Sequence, residues 1–273
     1  MSRQAVAVAA ASLAVCAVAA AAPPPDAPIP RDPRRLAEKF AETKQALNAG
    51  IDAWRAEPSS RPPNEVTLDA LYEQRIELFL AQNRSMSRKV VARLPAALAR
   101  DVRTNLAAKR ELWRLTPKSH RHRFETGRAL PPATLRSYYR AAQRRFGVRW
   151  SLLAAVNFVE TAFNKLRNES ATGAQGPMQF MPATWRAYGL GGNIHDPHDA
   201  ILGAANYLHA NGAPRDNARA LYHYNPSRLY VDAVLRYERR IRSDPRAFYE
   251  YLAWQVYVRT PRGLRRITGP GLR

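Results

Sequence analysis

Glu160-Thr161-Ala162-Phe163-Asn164, followed by Gly173-Ala174-Gln175-Gly176-Pro177-Met178-Gln179-Phe180-Met181-Pro182-Ala183-Thr184-Trp185, is the stretch whose reading decides the fold. Around its first part, Leu152, Val156, Val159 and Phe163 recur at helical spacing, which predicts a helix over 151–166. Glu160 falls inside that apolar stripe, so its carboxylate is aimed at apolar surroundings. Asn157, Glu160 and Asn164 form a second line along one edge of the same face. An ionised carboxylate half-surrounded by apolar groups is costly, and its pKa rises. A carboxylic acid kept protonated near neutral pH is what a general acid requires. The residues alone leave a second reading open, a structural glutamate paired with an arginine, because buried ion pairs also place acids on apolar faces.

The run Glu160 to Asn164, then Ser170, then Gly173 to Met181-Pro182, resembles the soluble lytic transglycosylase family, whose fold is that of goose-type lysozyme. Two later motifs follow in order. His223-Tyr224-Asn225 stands where the family has Ala-Tyr-Asn, and Tyr230-Val231-Asp232-Ala233-Val234 matches a Tyr-Val-x-x-Val motif. The resemblance covers about residues 135–241. Thr161 replaces a serine, Pro177 a leucine and His223 an alanine, and the segment between Glu160 and Gly173 is one residue longer than the pattern. The acid itself is retained.

The resemblance implies an all-α, lysozyme-like catalytic domain acting on peptidoglycan glycan strands with no cofactor. It implies Glu160 as a single acid/base that cleaves the β-1,4 bond between MurNAc and GlcNAc and forms a 1,6-anhydro-MurNAc ring. By the same resemblance Gln179, Met181, Tyr224 and Asn225 line the cleft, with Ser170 and Tyr230 close to the glutamate. Their chemistry suits those places. Gln and Asn donate and accept, as sugar hydroxyls and N-acetyl groups demand, and Met offers an adaptable apolar wall. Most glycoside hydrolases use two carboxylates. Downstream of Glu160, however, Glu169 lies in a polar loop, Asp196 and Asp199 read as capping residues, and Asp232 sits in a late helix. A muramidase that uses water on the same fold, and a module that binds glycan without cutting it, remain as alternatives.

The chain has 273 residues, a formal net charge of +21 and a pI near 10.9. So basic a surface attracts polyanions. The N-terminus argues against nucleic acid, since Arg3 precedes an alanine-rich apolar run from Ala5 to about Ala22, the pattern of an export signal. No nucleic-acid motif is present either. Anionic cell-wall polymers are the partners expected instead. Cys16 is the only cysteine. Val15 before it is bulkier than a lipidation site wants, so no lipid anchor is expected. Removal of the signal would leave no cysteine and hence no disulfide.

Elsewhere the periodicity predicts helices. Leu36, Phe40, Leu47, Ile51 and Trp54 mark the first, ending before Pro58, and Leu68, Leu71, Tyr72, Ile76 and Phe79 the second. Met86, Val90 and Leu94 mark a third, and Pro95 opens a longer one bearing Leu98, Val102, Leu106 and Trp113. Acids in this region are interleaved with arginine at helical spacing, which reads as a solvated face. Asp196-Pro197-His198-Asp199 is a helix start. That context explains His195 and His198 without a metal, and His120 and His122 lie in a basic connector. Pro177 reads as the start of a short helix carrying Met178 and Gln179, and a last helix is expected over 245–257. The expected organisation is a signal peptide over 1–22, a Pro-rich linker over 23–33, a helical N-terminal region over 34–115 and a connector over 116–132. A lysozyme-like domain over 133–257 and a mobile basic tail over 258–273 complete it.

Overall fold

A computed structural model describes residues 21–58 and 61–272. Cys16 and all but the last two residues of the candidate export signal lie outside the described residues. The chain enters α1 (Pro33–Ala56) at Asp32, whose carboxylate accepts from the Arg34 and Arg35 amides at 3.1 and 2.9 Å. Leu36, Phe40, Leu47, Ile51 and Trp54 form its buried stripe, as the spacing predicts. α2 (Asn64–Gln82) and α3 (Arg84–Val91) follow, and α4 (Ala96–Leu115) starts after Pro95. α5 (Pro132–Phe146) stops at Gly147, whose φ of 71° suits a residue without a Cβ. Next come α6 (Trp150–Thr161), α7 (Pro182–Tyr188), α8 (Pro197–Ala210), α9 (Asn217–Tyr224), α10 (Arg228–Ser243) and α11 (Pro245–Ala253). No helix among the described residues is long and apolar enough to cross a membrane.

Two apolar cores hold these helices. One lies within the N-terminal helices, where Leu36 and Phe40 of α1 meet Ile76 and Leu80 of α2, Val90 of α3 and Val102 of α4. The second is built from α5, α6, α8, α10 and α11 around Leu152, Val156, Phe163, Tyr237 and Phe248. The later half of α1 belongs to this second core through Leu47, Ile51 and Trp54. α4 also packs along α10, which in turn packs along α6. The N-terminal helices therefore support the helix that carries Glu160.

Three segments differ from the sequence reading. α6 ends at Thr161 rather than near Leu166, because Ala162, Phe163 and Asn164 take positive φ values of 50, 63 and 65°. Apolar spacing continued through Phe163 and gave no sign of the turn. Pro177 starts no helix; Gln175 and Phe180 exchange two 2.9 Å backbone bonds across a tight turn, and α7 begins at Pro182. The chain after Ala253 forms an antiparallel hairpin, β1 (Tyr257–Thr260) with β2 (Gly263–Arg266), where helix and mobile tail were expected. Pro261-Arg262 make the turn and Gly263, φ 114°, supplies its left-handed position. The hairpin is anchored, since the Ser119 amide donates to the Arg259 carbonyl at 2.7 Å and the Arg259 guanidinium donates to the Trp113 and Thr116 carbonyls. Strands this short offer too little alternation to be read.

The acids of α2 also depart from the solvated face expected of them. Glu73 and Glu77 are buried. Their partners come from distant helices, which local spacing could not reveal. Lys44 Nζ of α1 bridges Glu73 Oε1 at 2.8 Å and Glu250 Oε2 of α11 at 2.5 Å. Lys109 of α4 pairs with Glu77 at 3.1 Å and lies 3.4 Å from the Trp254 ring centroid. Asn105 donates to Glu77 at 2.9 Å and accepts from the Tyr251 hydroxyl at 2.7 Å. Burial, together with the nearby Glu250 charge, pushes the Glu73 carboxyl up to about 8. Burial works against the Lys44 ammonium, but Glu250 and Glu73 outweigh it and hold it above its ordinary value. A buried pair adds little net stability over apolar packing, whereas removing one partner strands the other. Lys44→Met is accordingly expected to cost about 3–5 kcal/mol in urea unfolding at neutral pH. The deficit should narrow in acid, as the stranded carboxylates take up protons.

Candidate active site

Glu160 is the penultimate residue of α6 and sits half-buried beside α10. Its partner is a phenol rather than the arginine that the structural reading would require. The Tyr230 hydroxyl, on the first turn of α10, donates to Glu160 Oε1 at 2.5 Å. Burial raises the carboxyl from 4.5 to about 7, and the Tyr230 bond pulls only partly the other way. The C-terminal end of a helix carries partial negative charge, which favours the neutral acid as well. Tyr224 stacks on Tyr230, with centroids 6.5 Å apart and planes 3° from parallel. Burial and the nearby Glu160 hold both phenols well above their ordinary pKa, so both remain donors.

The abrupt end of α6 places the acid. Three consecutive non-glycine residues in the left-handed region are strained. The turn is held by two contacts. Phe163 is fully buried, stacked on Phe158 at 5.6 Å and edge-on to Phe248 at 5.6 Å. Lys165 reaches into the core, donating to the Leu252 carbonyl at 2.7 Å and to the Trp254 carbonyl at the end of α11. Burial lowers that ammonium to about 7.

The Gly176–Gln179 turn is fixed to the same helix. The Pro177 carbonyl accepts from Asn157 Nδ2 at 2.9 Å and from Thr161 Oγ1 at 2.7 Å, and Tyr139 orients Asn157 with a 2.6 Å bond. Gly176 is required here, because a Cβ would come within 1.9 Å of the Ile194 carbonyl oxygen. From the other side the Tyr224 hydroxyl donates to the Met178 carbonyl at 2.6 Å. Glu160, Tyr224, Tyr230 and the Met178–Gln179 turn therefore form one cluster.

The remaining candidates lie around it. Gln179, φ 50°, uses its side-chain amide to donate to the Gly176 and Asn168 carbonyls at 3.1 and 3.4 Å. Ser170 Oγ accepts from the Ala174 and Thr172 amides at 2.9 and 3.2 Å and closes the 170–174 loop. Met181 is 43 % exposed ahead of α7, and Asn225 is exposed at the end of α9. Sequence reasoning missed Tyr207, whose hydroxyl donates to the His223 carbonyl at 2.9 Å and whose ring packs edge-on to Tyr224. It lies off the apolar stripe of α8 and carried no signal. Asp196 and Asp199 serve α8 and its approach. Asp196 accepts from the His198 and Asp199 amides, and Asp199 from the Asn193 amide at 2.9 Å. Ligand atoms of Asp196, His198 and Asp199 fall within 4.8 Å of one another, which brings two acids to one of the histidines named from the sequence. Capping already occupies the two carboxylates.

The raised pKa of Glu160 has a sign that can be tested. The folded protein favours the protonated carboxyl, so this group's contribution to stability is complete below about 4.5 and is lost as pH rises through about 7. Glu160→Gln should gain melting temperature relative to the wild type between pH 5 and pH 8. Tyr230→Phe removes the bond that stabilises the carboxylate, so the Glu160 carboxyl should titrate higher still when followed by carbon NMR.

The cluster lies in a stretch of chain that matches a known family. Residues 137–242 match the family described as Transglycosylase SLT domain. The membrane-bound lytic murein transglycosylase F of Thiobacillus denitrificans (strain ATCC 25259 / T1) is 35% identical over 74 residues, 27% of this chain and 15% of that protein. The match thus spans a small part of that relative's length. No solved structure matches the chain. The family match takes in Glu160, the Gly176–Gln179 turn, Tyr224 and Tyr230, and residues 137–242 are a transglycosylase SLT domain of lysozyme-like helical fold.

Proposed function

We propose that the protein is a peptidoglycan lytic transglycosylase that cleaves the β-1,4 bond between MurNAc and GlcNAc with Glu160 as its single acid/base. What supports this reading is the Glu160 carboxyl, hydrogen-bonded to Tyr230 at 2.5 Å and pushed up to about 7 by burial. Such a group is partly protonated at neutral pH and gives or takes a proton at small cost. Glu160 donates its proton to the glycosidic oxygen as that bond breaks. Tyr230 occupies Oε1, which leaves Oε2 as the oxygen to carry the proton. The resulting carboxylate then takes the proton of the MurNAc C6 hydroxyl as its oxygen bonds to C1. The ring closes as 1,6-anhydro-MurNAc, and the acid is regenerated. Because the nucleophile is tethered to the reacting carbon, an effective molarity on the order of 10⁵ M is available in favourable cases. No second carboxylate is needed to activate water.

Tyr230 holds the carboxyl in place. The Gln179 side-chain carbonyl, whose amide nitrogen is held by the Gly176 and Asn168 carbonyls, and the exposed Asn225 offer polar groups to sugar hydroxyls and N-acetyl groups, and the exposed Met181 offers an apolar wall. Ser170 acts indirectly, through the loop it closes. We place the reaction in the cell envelope, on the strength of the export-like N-terminus and the match to a membrane-bound murein transglycosylase.

Glu160→Gln keeps the side chain's shape and removes the transferable proton. Its rate on purified peptidoglycan should fall about 10²–10⁴-fold with the helical circular dichroism unchanged. Wild-type activity should decline as pH rises past about 7, where the acid loses its proton. Products should be lighter by one water than hydrolytic fragments and unchanged by borohydride. Reducible ends carrying ¹⁸O from labelled water would identify a hydrolase instead.

A further inference from the structure

Just after the strained turn, the chain pairs with the connector that precedes α5. Leu166 bridges Thr126, the Gly127 amide donates to the Lys165 carbonyl at 3.0 Å, and the Arg167 amide donates to the Glu125 carbonyl at 2.9 Å. Gly127 has a special role in this pairing. A Cβ there would lie 2.2 Å from Arg167 Cζ and 2.3 Å from its Nε and Nη2. The guanidinium thus lies across the glycine, in space that any other residue would fill. Gly127 has no left-handed φ to accommodate, so the opening serves the arginine.

Arg167 and its neighbour Arg128 line one groove of about 380 Å³, with His195 also on its wall. That size lies within the roughly 300–1,000 Å³ of ligand clefts. Leu130 and Pro177 give it apolar sides, and Asn164 adds an amide. Among the described residues neither Arg128 nor Arg167 has a carboxylate within ion-pair distance, whereas Arg34, Arg236, Arg240, Arg242 and Arg246 each have one. Two unpaired guanidinium groups in one groove repel each other, and a carboxylate, which such a fork binds bidentately, relieves that repulsion. Apolar walls alternating with cationic ones suit a short peptide that carries carboxylates on small side chains. A long, uniformly charged polymer would gain little from them.

The groove adjoins the catalytic cluster. Pro177, on its wall, belongs to the turn whose Met178 carbonyl faces Tyr224. MurNAc bears its peptide on the sugar that Glu160 would act upon. We propose that this groove binds the carboxylates of the acidic peptide branching from the glycan strand, with Arg128 and Arg167 as the residues that select peptide-bearing substrate. This rests on the reading that the substrate is peptidoglycan.

The test measures affinity on the Glu160→Gln protein, so that binding is read apart from cleavage. The probes are soluble glycan strands carrying their peptides and the same strands stripped by an amidase. Arg128→Gln combined with Arg167→Gln should weaken binding to peptide-bearing strands about tenfold, as expected for losing charge-assisted bonds, and leave stripped strands unaffected. Gly127→Val, which displaces Arg167 at constant net charge, should weaken the same binding alone. Arg100→Gln with Arg103→Gln, exposed on α4, removes equal charge elsewhere and should change neither. Equal weakening on both strands, an equal effect of the α4 pair, or no weakening by the groove pair would overturn the proposal. Competition by a phosphate-only polymer as strong as that of peptide-bearing strands would overturn it too. A wild type that hydrolyses, or does not cut, would count against the proposed function and leave this comparison intact.

Discussion

The carbonyl of Pro177 accepts two hydrogen bonds from α6, and the geometry of the cleft follows from that pair. Asn157 and Thr161, one turn apart on the helix, hold the loop against the face next to Glu160. The loop cannot shift without stranding a buried carbonyl and two buried donors, each costly to leave unmade. Tyr224 then grips the next carbonyl, that of Met178, and stacks on the phenol that holds the acid. Acid, loop and aromatic pair are linked by bonds of defined length, so the site is built before any ligand arrives.

A second constraint lies beneath the first. α6 is buried almost all round, and its support includes helices from the far N-terminus. Leu47, Ile51 and Trp54 contribute to its core, α4 packs along α10, and the Lys44–Glu73–Glu250 cluster joins α1, α2 and α11. Charges so placed bring direction more than net stability, since each must find one partner in one orientation. They set the N-terminal helices in register against the helices around Glu160.

Much of this could be read from the sequence because it was local. Helical spacing found most of the helices, Asp32 and Asp196 announced their own starts, and Glu160 stood out as an acid inside an apolar stripe. The four ordered motifs brought Tyr224 and Tyr230 into view, though nothing local ties Tyr230 to a glutamate 70 positions earlier. What escaped was of other kinds. The turn at 162–164 is held by Phe163 and Lys165 contacts that arise only in the folded core, and it contradicts the propensity of its own residues. Glu73 and Glu77 looked solvated because their cations lie on other helices. The hairpin was too short for alternation to register. Gly127 carried no signal, because the Arg167 guanidinium that lies across it comes from a separate segment of the chain.

Lys44 and Glu250 are 206 positions apart in the chain. Contacts so distant are slow to form, because a long loop must close before they repay its entropy. A growing chain therefore holds the acids of α2 without the segment that completes their environment. The helix that carries Glu160 reaches its final packing only after α11 has been made. Until then the strained turn after Glu160 has neither Phe248 nor the Trp254 carbonyl to hold it. A chain that has not yet reached α11 therefore carries Glu160 without the packing that places it.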